Sequence, residues 1–206
     1  MIDKCKLIWI TPNAEKIIAY CARVSSKHQD NPNIEGLLKY CIKNNHVSIM
    51  EMASMCIEIN TTRGISSQII RHRSFSFQEF STRYQTIEQD LEIPNLRRQD
   101  IKNRQNSISD LDEGLVEELQ NDIIEHFKKT RYLYQKLLDK GVAKECARNI
   151  MPLQSPTRIY MSGTLRSWLH FIRVRTHPST QLESRIIAEQ IKEIFISECP
   201  ILGNLI

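Results

Sequence analysis

Residues 71–84 read RHRSFSFQEFSTRY, and this stretch gathers positive charge and hydroxyl groups around one carboxylate. It holds three arginines, one histidine and three serines, with Glu79 as its acid. Arginine offers a planar fork of donors that matches phosphate oxygens, and serine adds a short donor. Like charges this close repel one another, so an anionic ligand would stabilise them. Phe75, Phe77 and Phe80 alternate with the polar residues and predict a partly buried segment.

A solvated basic face is the alternative interpretation of these charges. Glu51, Glu58 or Glu79 would then neutralise the arginines, and the stretch would carry no ligand. The alternating phenylalanines favour the anion-binding interpretation, because a loose surface run does not require apolar residues at regular spacing.

The spacing of the same residues resembles the signature RHRxxSxxxxSxR of the flavin-dependent thymidylate synthases, with Ser76, Ser81 and Arg83 in place. Residues 22–25 read ARVS, and residues 145–153 read ECARNIMPL, which is similar to the EVAR-x-x-LPL segment of that family. Further family positions are occupied by His46, Glu51, Arg166, Arg175, Gln181 and Glu183. The resemblance therefore extends along most of the chain.

The resemblance implies a reaction and a set of ligands. The family makes dTMP from dUMP, with methylenetetrahydrofolate as carbon donor and FAD, reduced by NADPH, as hydride source. It uses no enzyme nucleophile, and its active sites are shared between subunits of a homotetramer. A catalytically impaired homologue that binds flavin or nucleotide is the alternative within the same fold.

The resemblance also implies which residues form the site. The substrate-binding positions are Gln68, Ile69, Ile70, Arg71, Glu79, Phe80, Ser81, Thr82, Arg83, Arg148 and Arg175. The FAD-binding positions are Ser48, Arg71, His72, Arg73, Glu79, Thr164, Leu165, Arg166 and His170. Arg175 is the catalytic residue, because its family counterpart stabilises negative charge on the pyrimidine.

Nucleophilic catalysis finds little support in the sequence. Ser81 lacks a Ser-His-Asp pattern, and a serine needs an adjacent base in order to attack. Cys21 and Cys41 are predicted on apolar helix faces, and Cys146 is predicted among packing residues. Activation is therefore expected to be electrostatic, and the resemblance implies Arg175 as the residue that provides it. From the residues alone, the favoured interpretation of Arg175 is a positive charge that complements the dipole at the C-terminal end of a helix.

Several positions depart from the commoner family pattern. Gln78, Thr164 and His170 stand where asparagine is frequent, and Ser179 stands where many members have histidine. These changes cluster on the flavin side. We hypothesise that His170 takes over a polar contact with the flavin.

Bulk properties predict one soluble domain over residues 1–206. The chain is 41% hydrophobic, with a net charge of +4 and a pI near 8.7, which suits anionic small molecules. Six scattered cysteines without a CxxC pair predict reduced thiols, no metal site and a cytoplasmic protein. No signal peptide or membrane span is predicted. A nucleic-acid-binding protein is the rival from another class, but no recognised binding motif supports it.

Hydrophobic periodicity predicts many helices and few strands. Helices are expected over residues 14–24, 34–42, 63–72, 111–140, 144–150, 165–172 and 182–195, and strands over 52–62 and 158–162. Residues 76–83 are expected to form a loop, and residues 85–110 a surface excursion. The predicted class is α+β, with a mixed or antiparallel sheet flanked by helices. A Rossmann fold is not expected, because no GxGxxG follows a strand.

Overall fold

The computed structural model describes residues 4–204, which form six strands and eight α helices. In chain order these are β1 (Cys5–Ile10), α1 (Ala14–Ala22), α2 (Glu35–Lys43), β2 (Ser54–Thr62), α3 (Arg63–Ile69), β3 (Ser76–Glu79), β4 (Arg98–Gln99), β5 (Ser107–Ile108), α4 (Glu113–Asp139), α5 (Lys144–Ala147), β6 (Pro156–Thr164), α6 (Leu165–Arg175), α7 (Leu182–Glu198) and α8 (Pro200–Gly203). Short 3-10 helices cover Val47–Met52 and Arg148–Ile150.

The chain packs as two compact units. Within the described residues, the first unit comprises residues 4–60, 68–78 and 159–204, and the second comprises residues 61–67 and 79–158. The single domain expected from the sequence stays a prediction.

A four-stranded sheet with the order β1-β2-β6-β3 forms the framework of the first unit. β1 and β2 are antiparallel, with Cys5 opposite Ile59 and Ile10 opposite Met55, and their register shifts between Leu7 and Trp9. A shift of this kind bends an edge strand and discourages pairing with another chain.

One face of this sheet is apolar. Ile57 and Ile59 of β2 and Ile159 and Met161 of β6 are fully buried, whereas Tyr160 between them is exposed. This alternation is the period of a strand with one solvated face. Each fully buried side chain of this size contributes roughly 1.5–3 kcal/mol to folding.

Helix α6 begins directly after β6 because Thr164 caps it. The Thr164 hydroxyl accepts a hydrogen bond from the backbone N–H of Ser167. Leu165, Trp168, Leu169, Phe171 and Ile172 repeat at helical spacing and are buried. The opposite face therefore carries the polar side chains of α6 to the surface.

The second unit packs around α4. Tyr134 is almost fully buried and forms a small core with Ile87 and Ala147. The Asp112 side chain caps α4 by accepting from the N–H of Leu115, and Gly141 ends it with a positive φ of 79°. In the same unit, the strands β4 and β5 form a two-stranded hairpin.

The α+β class predicted from the sequence is confirmed, and each predicted helix is found with shifted ends. The prediction of a loop from Ser76 is wrong, since residues 76–79 form β3, and β1 was not predicted at all. The excursion over residues 85–110 contains the β4–β5 hairpin. Cys146 is exposed, so its predicted place among packing residues is wrong.

Within residues 4–204, none of the helices combines the length and the apolar character needed to cross a bilayer.

Replacement of Gly163 by alanine should destabilise the protein. A Cβ atom at Gly163 would lie 2.5 Å from Cδ1 of Phe75, and the Phe75 ring packs against Trp168 at a centroid distance of 4.7 Å. Forcing that ring to move costs about 1–3 kcal/mol. Urea denaturation followed by tryptophan fluorescence measures the change in the free energy of unfolding.

The matched control is Gly36→Ala in α2, where the added Cβ meets no atom within 4 Å. That variant should change stability by no more than about 1 kcal/mol. Equal stability of the two variants would show that Phe75 can move without cost.

Candidate active site

The RHR segment turns sharply after α3. The N–H of His72 donates to the carbonyl of Ile69 at 3.1 Å, and the N–H of Phe75 donates to the carbonyl of His72 at 3.2 Å. These two successive tight turns leave the side chains of Arg71 and Arg73 exposed and that of His72 half-buried. The two arginines are thus available to an anion, and the histidine is available to the protein.

His72 contacts Arg175, the last residue of α6. The Arg175 Nε donates to His72 Nε2 at 2.7 Å, and the Arg175 Nη2 donates to the carbonyl oxygen of Gln68 at 3.1 Å. Because Nε of arginine always carries hydrogen, Nε2 of His72 must be the acceptor. This arrangement requires a neutral imidazole with its proton on Nδ1.

The charge state of His72 agrees with that requirement. Burial, the positive charge of Arg175 and the proximity of His170 together lower the pKa of His72 to about 4. The pKa of Arg175 is itself lowered by burial and by Arg71, although an arginine remains charged at any physiological pH. At neutral pH the pair is therefore a neutral acceptor and a charged donor.

A cavity of about 430 Å³ lies beside the exposed face of α6. Glu51 and Arg166 form an ion pair at its wall, with both side chains about half exposed. Its lining consists of Ile42, Asn45, Val47, Met50, Glu51, Ser74, Arg166, Ser167, Leu169, His170 and Arg173. The volume falls in the usual range for small-molecule sites.

The donors of this cavity fit a phosphorylated cofactor. Arg166, His170 and Arg173 stand in successive turns of α6, and the N-terminus of that helix adds a partial positive charge. Apolar residues such as Val47 and Leu169 supply the surface that a flat aromatic ring requires. The residues present therefore fit the pyrophosphate and ring of FAD.

The structure places the predicted FAD-binding residues of the first unit in different settings. Arg166 and His170 line the cavity, and Ser48 lies exposed on the neighbouring 3-10 helix. Thr164 is the cap of α6, and Leu165 is fully buried, so that only the backbone of Leu165 could contact a ligand. The same holds for the predicted substrate-binding residue Ile69, whereas Ile70 is exposed.

Glu79 stands at the centre of a hydrogen-bonded group in the second unit. Its Oε1 accepts from Ser66 at 2.8 Å and from Thr157 at 2.9 Å, and it pairs with Arg63 at 3.0 Å. Arg63 also donates to the carbonyl of Phe80. Within residues 4–204, Oε2 of Glu79 accepts no hydrogen bond, so this oxygen can receive a ligand hydroxyl.

The predicted phosphate-binding residues form a turn at the end of β3. The N–H groups of Tyr84 and Gln85 both donate to the carbonyl of Ser81, which leaves Ser81 and Arg83 exposed on the turn. α5 and the 3-10 helix after it hold this turn in place. Arg148 donates to the buried Thr82 hydroxyl at 3.2 Å, and Arg83 pairs with Glu145 at 3.2 Å.

Several residues of these groups were missed by the sequence interpretation. Arg63, Ser66 and Thr157 hold Glu79, and Ser74 and Arg173 line the cavity. Arg63 follows the strand β2 immediately, but nothing in the local sequence indicates that it pairs with Glu79, 16 residues later. In the part of the chain that the structure describes, no group of three or more metal-binding side chains was found.

Comparison with known proteins identifies the family. Residues 6–201 match the family described as "Thymidylate synthase complementing protein". The chain is 50% identical over 186 residues to the flavin-dependent thymidylate synthase of Synechocystis, covering 90% of this chain and 86% of that protein. It is 47% identical over 193 residues to the "Probable flavin-dependent thymidylate synthase" of Paramecium bursaria Chlorella virus 1, covering 93% of this chain and 89% of that protein.

A solved structure shares the fold. The UMP/dUMP methylase PolB from Streptomyces cacaoi, bound with 5-Br dUMP, superposes with a TM-score of 0.86 at 23% identity, covering 97% of this chain and 92% of that one. The predicted fold and family are therefore confirmed. The chain belongs to the thymidylate synthase complementing protein family and, within it, to the enzymes that are flavin-dependent thymidylate synthases.

Proposed function

We propose that this chain converts dUMP to dTMP, with methylenetetrahydrofolate as carbon donor and with FAD, reduced by NADPH, as redox cofactor. The observation that carries the proposal is the half-buried guanidinium of Arg175, held by two fixed acceptors in a chain about half identical to a flavin-dependent thymidylate synthase. A fixed cation in a partly dry site stabilises negative charge that develops on a substrate ring.

The state of the thiols supports activation without a cysteine nucleophile. Burial raises the pKa of Cys41 and Cys56, and burial together with Glu15 and Glu198 raises the pKa of Cys199 to about 12. A thiol must ionise in order to attack, so these three cysteines are unreactive near neutral pH.

Arg83, Arg148 and the turn at Ser81 are the proposed phosphate site. The Arg83–Glu145 pair is exposed on both sides, with side chains 64% and 54% exposed. Exposed pairs of this kind are worth about 0–1 kcal/mol, so a dianionic phosphate can replace Glu145 as the partner of Arg83 at low cost. Glu79 is proposed to accept from a sugar hydroxyl through its second oxygen.

The proposed flavin contacts combine two residues that line the cavity with others that the family resemblance implies. Arg166 and His170, with Arg71 and Arg73, would bind the phosphates, and backbone groups near Leu165 would add donors. FAD held by these residues, once reduced by NADPH, would be the hydride source of the reaction. The cavity walls would hold the cofactor in position.

We further propose a cytoplasmic homotetramer with sites shared between subunits, without nucleic-acid or membrane partners. α4 leaves Leu115, Leu119, Tyr132 and Leu133 partly exposed, which supports a partner on that helix. Part of the positive charge of the β4–β5 hairpin is neutralised by a neighbouring carboxylate, since Arg98 donates two hydrogen bonds to Asp110. This pairing does not favour a nucleic-acid-binding surface.

Arg175→Ala should abolish most of the activity. The purified protein, incubated anaerobically with NADPH, methylenetetrahydrofolate, dUMP and FAD, should form dTMP, and the variant should turn over about 10²–10³-fold more slowly, as expected for loss of an electrostatic stabiliser. Flavin absorbance, recorded in parallel, shows whether the cofactor binds and is reduced.

The matched control is Arg104→Ala, which removes an exposed arginine from the hairpin loop and should keep full activity. Wild-type turnover in Arg175→Ala would contradict the assigned role. Bound and reducible flavin without dTMP, in the wild-type protein, would favour the catalytically impaired homologue. UMP, offered in a separate assay, tests whether the ribonucleotide is also methylated.

Arg83→Gln should weaken dUMP binding without weakening FAD binding. Loss of one charge-assisted hydrogen bond to phosphate costs about 1.5–3 kcal/mol, which raises the Kd for dUMP by about 10- to 150-fold. Calorimetric titration of the FAD-loaded protein with dUMP measures this change.

Arg98→Gln is the control, since it also removes an exposed, ion-paired arginine of the second unit. Equal dUMP affinity in Arg83→Gln and Arg98→Gln would place the phosphate elsewhere.

A further inference from the structure

We propose that His72 is a positioning residue that acts through Arg175, by accepting a hydrogen bond from the guanidinium and so fixing the direction in which its remaining donors point. This inference rests on the proposed function, in which Arg175 faces the pyrimidine ring of the substrate. It assigns His72 a role toward the substrate in addition to its expected place beside the flavin.

The geometry of Arg175 carries the argument. A guanidinium has five N–H donors in a rigid plane. One hydrogen, on Nε, goes to His72 Nε2 at 2.7 Å, and one, on Nη2, goes to the carbonyl of Gln68 at 3.1 Å. Within the described residues, Nη1 donates no hydrogen bond. Two acceptors fix the plane, so both hydrogens on Nη1 and the second on Nη2 point to a defined place.

The His72 ring is itself held by aromatic packing. Its centroid lies 4.9 Å from that of Phe171 and 6.4 Å from that of Phe75, in both cases with the rings near perpendicular. Phe171 is fully buried, and Phe75 packs edge-on against the buried Trp168. Packing against the core of the first unit therefore fixes the position of the acceptor nitrogen. An acceptor on an exposed, unpacked glutamine or serine side chain would be mobile.

A positive charge on His72 would destroy the arrangement. Protonated imidazole donates from both nitrogens and accepts from neither, so Nε2 would repel the Arg175 guanidinium. The charged and titratable groups around the ring are Arg175 and His170 from α6, with Arg71 from the turn itself near Arg175. Burial first, and then the charges of Arg175 and His170, disfavour protonation of His72, so the ring stays a neutral acceptor at neutral pH.

Pre-orientation of this kind has a catalytic consequence. An exposed arginine loses rotamer freedom each time it binds, whereas a guanidinium already fixed on two acceptors loses little. The Arg175 side chain is half-buried, and α6 fixes its backbone. His72 and Gln68 then determine the last angles, on which alignment with a planar ring depends.

Two substitutions separate the acceptor from the packing. His72→Phe keeps a ring among Phe171 and Phe75 but has no acceptor, and His72→Gln places an amide oxygen near the position of Nε2. At saturating FAD, we expect His72→Phe to lower kcat for dTMP formation by about 10- to 100-fold and His72→Gln to recover most of it. Equal loss in both variants, or no loss in His72→Phe, would overturn the proposal.

A double-mutant cycle tests whether His72 acts through Arg175. Calorimetry on FAD-loaded protein measures dUMP affinity for the wild type, His72→Phe, Arg175→Ala and the double variant. His72→Phe should weaken dUMP binding in the wild-type background and change it little in the Arg175→Ala background. An equal effect in both backgrounds would assign His72 a merely structural or flavin-only role and overturn the proposal.

The same cycle keeps this proposal distinct from the proposed function. A wild-type protein that binds dUMP but makes no dTMP would contradict the function, while coupling between His72 and Arg175 in the binding cycle would still support the positioning role. Thymidylate formation without coupling would support the function and overturn the positioning role.

Stability should depend on pH through His72. The folded pKa of about 4 lies below the ordinary value of 6.5, so the unfolded chain binds a proton that the folded protein refuses. The stabilising contribution is complete above pH 6.5 and is lost as the pH falls toward 4. The Tm of the wild type should therefore fall more steeply over this range than that of His72→Gln. If the Tm of the wild type and that of His72→Gln depended on pH in the same way, His72 would not be a neutral, half-buried acceptor.

Discussion

The anchoring of α6 on β2 is the constraint on which the first unit depends. The backbone N–H of Leu165 donates to the carbonyl of Ala53 at 2.9 Å, and the indole N–H of Trp168 donates to the carbonyl of Met55 at 3.0 Å. Both bonds lie among buried apolar residues, where an unpaired polar group costs about 1–3 kcal/mol. They fix the rotation of α6 about its axis. The helix therefore presents one polar face, and Arg175 at its end, in a single orientation.

Basic side chains are held in two different ways, and the difference has functional meaning. Arg166 and Arg83 pair with exposed carboxylates, Glu51 and Glu145, in contacts that solvent weakens. Arg175 instead rests on neutral acceptors. A carboxylate beside Arg175 would cancel the charge that a substrate needs, whereas an imidazole nitrogen and a carbonyl oxygen orient the guanidinium and leave its positive charge uncompensated. The exposed ion pairs of Arg166 and Arg83 can exchange their carboxylate for an anionic ligand. The uncompensated charge of Arg175 is suited to activating a substrate ring.

Local patterns predicted much of this fold, and nonlocal pairings defeated prediction. The apolar residues of α6 recur at helical spacing, and β2 is rich in β-branched residues. Both elements were therefore predicted from the sequence with small errors at their ends. β3 was taken as a loop because four residues rich in polar side chains show strand character only once β6 pairs with them. The signature predicted which residues form the site. The contact of His72 with Arg175 joins residues 103 apart, and nothing in the local sequence of either marks the other.

The positions that depart from the family pattern acquire a physical meaning from this arrangement. Thr164, where asparagine is frequent, still caps α6, because a threonine hydroxyl accepts from the first turn nearly as well as an asparagine oxygen does. Ser179 bonds to His177 Nδ1 within its own loop at 2.7 Å, which rebuilds that loop locally. His170 lines the cavity, and its ring lies 6.4 Å from that of His72. An asparagine at position 170 could contact a flavin but would place no titratable group beside His72. A histidine at this position adds a basic group that helps keep His72 neutral, and so couples the proposed flavin cavity to the proposed orientation of Arg175.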